Sequence, residues 1–335
     1  MTTVLLQGAG AVGARAARQL VETPSIDHVL IADRSAERAE AVAGVMGDKA
    51  EPIAWARDGI PELPDGVDAI ASAVPAGADI GVARAAMAAR VPLASAGDDV
   101  LGIQGMLSFE AMARDAGVTL AAGCGLAPGL ADVLARHAAD SFDVVDEINV
   151  ARYGAAGDAS HSTVRRALRE RPVEVRDGRR TEARRRGARE LIWFPDPVGA
   201  HECEVVGTAV DLLLRAFPDA QRVAVRQAEP DRRPRIALPG RNDPEGSWGA
   251  LRVETWGRRG PGREPLVYGA VERTAIATGT VLAVTVAALA GALPSLVRAE
   301  PGVRGLGQIA APRAFLEELA RRGVRAAVFE GVPVA

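Results

Sequence analysis

The chain has 335 residues, a formal net charge of -3 and 48% hydrophobic residues. That is sequence enough for roughly two buried cores, and the near-neutral balance offers no overall basic field to a nucleic acid. Its two cysteines, Cys124 and Cys203, form no CxxC pair, and no histidines cluster at ligand spacing, so neither a structural zinc, nor any other metal, nor a disulfide framework is expected.

Apolar runs and their periodicity predict strands near 3–7, 28–32, 50–54, 68–73, 91–95 and 118–122, with helices near 11–22, 35–46, 77–89 and 104–116. Such alternation implies an α/β protein with a parallel, doubly wound Rossmann sheet. Past Gly129 the pattern changes to a helix at 129–140, a strand at 145–153, an arginine-rich stretch, and strands at 203–208, 221–227, 234–238, 250–256 and 266–272. These predict a second α+β domain carrying a mainly antiparallel sheet. From Ala275 to Val297 no residue is charged. The Ala, Gly, Thr and Val content, with Pro294 near the end, suits a helix buried in protein better than a membrane span, so no membrane partner is expected. The chain enters its first strand without a charged and apolar leader, which points to a cytoplasmic location.

The most informative segment is Val4-Leu5-Leu6-Gln7-Gly8-Ala9-Gly10-Ala11-Val12-Gly13, followed by an alanine-rich helix and then His28-Val29-Leu30-Ile31-Ala32-Asp33. It is a dinucleotide-binding fingerprint with all its parts: strand, glycines, helix, and an acid 20 residues past the third glycine. Gly8 permits the tight turn, Gly10 has no Cβ to block a pyrophosphate, and Gly13 lets the helix lie close on the strand. Ala11 and Val12 open the helix, whose unpaired amides meet the phosphates. Val12, Ala16 and Leu20 fall on one buried stripe, with Arg15 and Arg18 facing away. Asp33 can accept both ribose hydroxyls and would repel a 2′-phosphate, which favours NAD. Arg34 and Arg38 beside it keep NADP possible. Ala73, Val74 and Pro75 end a strand at the crevice, where Pro75 fixes φ and frees neighbouring backbone groups for the nicotinamide ribose.

Of the 40 basic residues only Lys49 is a lysine, and it precedes the third strand, at the wrong end of the sheet for a ligand. Neither Tyr153 nor Tyr268 has a lysine four residues on. Proton transfer therefore falls to His, Asp, Glu, Tyr, Cys or water. Cys124, in the segment bordering the nicotinamide, is either a packing residue or a partner for the ring. His161 follows the loop Tyr153-Gly154-Ala155-Ala156-Gly157 and could move the proton that accompanies hydride transfer. His201 follows Asp196-Pro197-Val198-Gly199 in a second loop that could face the cleft. Arg152 and Tyr153, ending a strand, could hold a substrate carboxylate and its neighbour. Residues 165–189 hold eleven arginines against four acids and no aromatic residue. A solvated helix and hairpin explains that run, the alternative being Arg165 or Arg166 reaching a carboxylate.

Taken together, the fingerprint, Ser72-Ala73-Val74-Pro75, Gly123-Cys124-Gly125-Leu126-Ala127-Pro128-Gly129-Leu130-Ala131-Asp132 and Val145-Asp146-Glu147-Ile148 make the chain resemble the saccharopine dehydrogenase-like family of oxidoreductases. Trp193-Phe194-Pro195-Asp196-Pro197 and Ala326-Ala327-Val328-Phe329-Glu330-Gly331 resemble a bacterial branch of it. The resemblance implies a nucleotide-binding domain at 1–125 and a domain at 126–274 for substrate binding and dimer formation, with the segment from about 275 to 335 packing back on the first. It also implies a homodimer that oxidises or reduces a carbon–nitrogen bond of an amino acid, amine or imine with NAD or NADP. Asp99 matches the family and is expected at the substrate. Two departures stand out: Ser95 replaces an aspartate of lysine dehydrogenase-like members, and Leu126-Ala127 replaces Phe-Asp. They leave open an opine-type reductive condensation, or a nucleotide-sensing or partner-binding protein without turnover.

Overall fold

The computed structural model describes residues 1–55, 63–183, 189–229 and 247–329. The expected strand at 234–238, residues 184–188 of the arginine run, and Glu330-Gly331 lie outside the described residues. In chain order the elements are β1 (Thr3–Gln7), α1 (Ala11–Val21), β2 (His28–Asp33), α2 (Ala36–Gly44), β3 (Ala50–Ala54), β4 (Ala69–Ser72), α3 (Asp79–Ala89), β5 (Leu93–Ser95), α4 (Val100–Leu107), α5 (Glu110–Ala116), β6 (Thr119–Ala121) and α6 (Leu130–Ala139). There follow β7 (Val144–Tyr153), α7 (Asp158–Ala167), β8 (Val173–Arg176), β9 (Arg179–Glu182), β10 (Glu190–Trp193), β11 (Ala200–Val206), α8 (Val210–Ala216), β12 (Arg222–Ala228), β13 (Trp248–Arg259) and β14 (Gly262–Arg273). Last come α9 (Thr274–Leu289), β15 (Gly302–Arg304), α10 (Leu306–Ile309), α11 (Pro312–Arg321) and β16 (Ala326–Val328).

The first sheet has the order β15-β6-β5-β4-β1-β2-β3, with every pairing parallel. Its central strands are buried along nearly their whole length because helices cover both faces. On one face α3, α4 and α5 close a core that includes Leu5, Ile70, Leu93 and Leu120. On the other face α9 packs against α1, β4 and β5. Gly279 makes that approach possible, since a Cβ there would lie 2.7 Å from the Arg15 Cβ and 2.8 Å from the Val12 carbonyl oxygen. α1 buries Ala17 beside Ala16 and Leu20, whereas Val12 of the expected stripe is half-buried and Arg15, expected to face away, brings its Cβ to the α9 contact. The uncharged run is α9 as far as Leu289, buried along almost its entire length, and then leaves the helix with Gly291, Pro294 and Ser295 exposed. Among the described residues no helix is long and apolar enough to cross a membrane.

The second sheet runs β10-β11-β12-β7-β13-β14-β16, with the β8–β9 hairpin attached at β12. It is antiparallel except where β12 pairs with β7. The protein is thus α/β, with a doubly wound parallel sheet and a second, mixed and mainly antiparallel one. One hydrophobic cluster runs from the first sheet through α6 and α9 into the second, joining Leu6 and Leu134 to Ile148 and Val253.

Several elements differ from those read off the sequence. The helix expected at 104–116 is two helices that break at Ser108-Phe109, and it begins earlier because Asp99 caps α4 by accepting the Gly102 amide. The segment carrying His161 is not a loop but the first half of α7. The described part of the arginine run is that helix and the β8–β9 hairpin. The C-terminal segment supplies an edge strand to each sheet, β15 beside β6 and β16 beside β14. Glu110 ties β15 in place, accepting the Val303 amide at 2.9 Å and Arg304 Nη1 at 2.9 Å.

Candidate active site

A cleft of about 540 Å³ opens over the C-terminal ends of the first sheet and reaches across to the end of β7 in the second. One end is the β1–α1 turn. Gly8 has φ +99, and a Cβ on it would sit 2.5 Å from the Ala73 carbonyl oxygen. A Cβ on Gly13 would collide with the Gly8 carbonyl, so this glycine packs against the turn itself. Gly10 is different: a Cβ there would meet nothing within 4 Å and would project into open space at the cleft. It precedes α1, which has no side-chain cap, leaving the first-turn amides available to an anion.

Asp33 holds the turn from β2. Its carboxylate accepts the Ala9 amide at 2.8 Å and the Ser35 amide at 2.9 Å, and Arg38 Nη1 stands 3.6 Å away. Asp33, Arg34, Arg38 and Trp55 line this end of the cleft, and Ala73, Val74 and Pro75 line its middle. Glycine room, uncapped amides and a carboxylate at the strand end fit a nicotinamide dinucleotide, with Gly10 and α1 beside the diphosphate and Asp33 beside the adenosine ribose. Ala11 and Gly13 shape the turn without lining the cleft.

The far end is built by Asp98, Ala127, Arg152 and Tyr153. Arg152, 6% exposed, donates from Nη1 to Asp98 Oδ2 at 2.8 Å and to the Ala127 carbonyl. Its Nε and Nη2 are buried with no hydrogen-bond partner among the described residues. Gly154 sets the arginine at a sharp strand end: its φ is +96, and a Cβ would approach the Trp248 carbonyl and Thr274 Oγ1. Below the Asp98 loop lies Asp79, the first residue of α3. It accepts Ser72 Oγ at 2.8 Å and Ser95 Oγ at 2.7 Å, while the Ser95 oxygen takes the Gly97 amide. Burial pushes the Asp79 carboxyl up to about 6, against the pull of the two hydroxyls. Ser95, the departure noted in the sequence, is a donor tying the ends of β4 and β5 to one acid.

Other sequence candidates lie elsewhere. Asp99 does not line the cleft; it caps α4 and meets Arg166 Nη2 at 3.3 Å. Of the two neighbouring acids it is Asp98 that lines the cleft, because a helix that starts at Val100 takes Asp99 for its own amides. Cys124 is fully buried behind the cleft, its amide on the Ser95 carbonyl, and burial pushes its thiol up to about 12, which does not suit a nucleophile. His161 and Arg165 do not line the cleft, although Ser160, Thr163 and Val164 of the same helix do, and Arg165 is exposed. His201 stands behind Tyr153, with ring centroids 4.3 Å apart. Of the residues at the site, Trp55, Asp79 and Asp98 carry no motif. The N-cap rule applied at Asp99 would have singled out Asp98. Among the described residues no group of His, Cys, Asp and Glu could hold a metal ion.

No protein-family model matches the sequence, and no curated protein matches it significantly. The architecture is a doubly wound parallel sheet joined to a mixed sheet across a cleft, and solved structures share it. Apo saccharopine dehydrogenase (L-Glu forming) from Saccharomyces cerevisiae superposes with a TM-score of 0.68 at 13% identity, over 98% of this chain and 100% of that one. DAP dehydrogenase from C. glutamicum in complex with DAP gives 0.52 at 15% identity over 92% and 94%. An engineered D-amino acid dehydrogenase bound to NADP+ gives 0.52 at 15% identity over 96% and 99%. The chain has the saccharopine dehydrogenase-like fold.

Proposed function

We propose that the chain is an NAD(P)-dependent oxidoreductase transferring a hydride to or from a carbon–nitrogen centre of an amine or imine that carries a carboxylate. One observation carries the reading: Arg152, buried at the cleft that begins at the glycine turn, has two guanidinium nitrogens without acceptors among the described residues. A buried donor left unpaired costs about 1–3 kcal/mol, and a planar Nε/Nη2 edge matches the two oxygens of a carboxylate. When bound, the nicotinamide accepts or gives the hydride, and the protein positions the reactants and excludes water. Asp98 and the Ala127 carbonyl hold the other edge of the guanidinium, so Arg152 is oriented before a ligand arrives. Val74, Pro75 and Leu126 give the cleft an apolar middle that keeps water from the reacting carbon. Asp33 favours NAD over NADP. Residues 126–274 would serve as the substrate-binding and dimerisation unit.

The test is uptake of NAD+ and NADP+ by the purified protein, then a panel of amines, amino acids and imines followed by nicotinamide absorbance. Turnover with a carboxylate-bearing amine, lost in Arg152→Gln with coenzyme binding kept, is the expected result. Failure to take up either coenzyme at millimolar concentration would overturn the reading.

A further inference from the structure

The Arg152–Asp98 pair has a consequence for which carboxylates the cleft admits. Asp98 leaves β5 in the first sheet and Arg152 ends β7 in the second, and the 2.8 Å ion pair crosses the cleft. Arg152 is nearly enclosed, whereas the Asp98 side chain keeps 27% of its surface exposed. The surrounding charge is weighted to the acids. Asp99, 4% exposed, stands behind Asp98 against Arg166, and Asp79 lies under Gly97. Two guanidiniums thus meet three carboxyl groups within one loop and its supports. A ligand bringing only a carboxylate to Arg152 adds negative charge to this enclosed place, where screening is weak. A ligand that also brings a cationic nitrogen adds none.

We propose that Asp98 is a specificity residue that receives the substrate's cationic nitrogen while Arg152 takes its carboxylate, so that the cleft selects zwitterions over plain oxo, hydroxy or unsubstituted acids. This rests on the function proposed above and narrows it. A charged hydrogen bond gained beside a low-dielectric pair gives a preference of about tenfold or more.

The experiment is calorimetric and ligand-detected NMR titration of the full chain, saturated with NAD+, with three matched pairs. These are norleucine and hexanoate, lysine and 6-aminohexanoate, and glutamate and glutarate, each amino acid in both enantiomers. At least one 2-amino acid is expected to bind about tenfold more tightly than its deaminated partner. Asp98→Asn should bring that ratio close to one, whatever it does to the affinity of both members through the Arg152 contact, and Asp98→Glu should restore part of it. Arg152→Gln should weaken both members. If Asp98→Asn fails to fold, the wild-type ratio and the Asp98→Glu titration carry the test. Equal binding of both members by the wild type, with both lost in Arg152→Gln, overturns the Asp98 assignment and leaves the proposed function standing. An undiminished ratio in Asp98→Asn overturns the assignment too. No binding by any of the acids overturns the Asp98 assignment, while coenzyme uptake decides the proposed function separately.

Discussion

In an Asp33→Ala variant the amides of Ala9 and Ser35 lose the carboxylate oxygens that accept them at 2.8 and 2.9 Å. Ala9 is buried and Ser35 half-buried. Water can therefore replace the lost partner at Ser35 but not at Ala9, whose stranded N–H costs about 1–3 kcal/mol. With a few tenths for Ser35, the variant should be about 2 kcal/mol less stable, a fall of about 3 °C in unfolding temperature for a chain of this size. Asp33→Asn keeps one acceptor oxygen and should lose about half as much. The same carboxylate is proposed to hold the adenosine ribose, where a charged hydrogen bond is worth about tenfold in affinity. NAD+ binding should fall by at least that factor and NADP+ binding by much less, because the 2′-phosphate no longer meets a negative charge. Thermal unfolding without coenzyme and calorimetric titration with each coenzyme separate the two effects. An unchanged unfolding temperature would refute the structural role. Equal losses for both coenzymes would refute the ribose assignment.

The glycine turn gives a paired expectation. Gly10→Ala should leave thermal stability within about 0.5 kcal/mol of wild type, since its Cβ meets nothing within 4 Å, yet weaken coenzyme uptake. Gly13→Ala should fail to give a stable protein because its Cβ collides with the Gly8 carbonyl. Identical behaviour of the two in melting and titration would contradict this geometry. Asp132 is buried on α6, and burial raises it from 3.8 to about 7 against the pull of the Gly129 backbone. The folded state thus holds its proton more tightly than the unfolded one, and wild-type stability falls as pH rises from about 4 to 7. Asp132→Asn should remove that fall, so urea midpoints of the two proteins converge near pH 4 and separate by pH 8. Parallel curves would show that Asp132 is not buried as described. Cys124 and Cys203 are both buried, with thiols pushed up to about 12. Neither should react with a thiol reagent at pH 8 until urea unfolds the chain, and rapid labelling of the native protein would place one of them at the surface.

Local regularity explains what was legible before the fold was known. The turn needs glycine where φ is positive and where backbone approaches backbone, so Gly8 and Gly13 announce themselves, and the strand, helix and acid around them follow at fixed spacing. Ala73, Val74 and Pro75 line the cleft as expected because strand ends in an open parallel sheet face one crevice. Arg152 lines it too, at the end of β7. The misplacements share a cause. Asp99, His161 and Cys124 were judged from neighbours in sequence, and each was claimed by a local structural demand. These are a helix cap, a helix where a loop was expected, and a core position behind the last strand of the nucleotide sheet.

Composition and periodicity by themselves determined the parallel α/β sheet, the glycine turn with its acid, and the buried helix in the uncharged run as far as Leu289, since these depend on spacing over a few residues. Tertiary structure alone decided that residues near 302 and 326 extend two different sheets. It also decided that Asp79 sits beneath Ser72 and Ser95, and that Asp98 meets Arg152 across 54 positions of chain. Those pairings join groups distant in sequence, and which partner a charge finds is fixed only when packing brings the two sheets together.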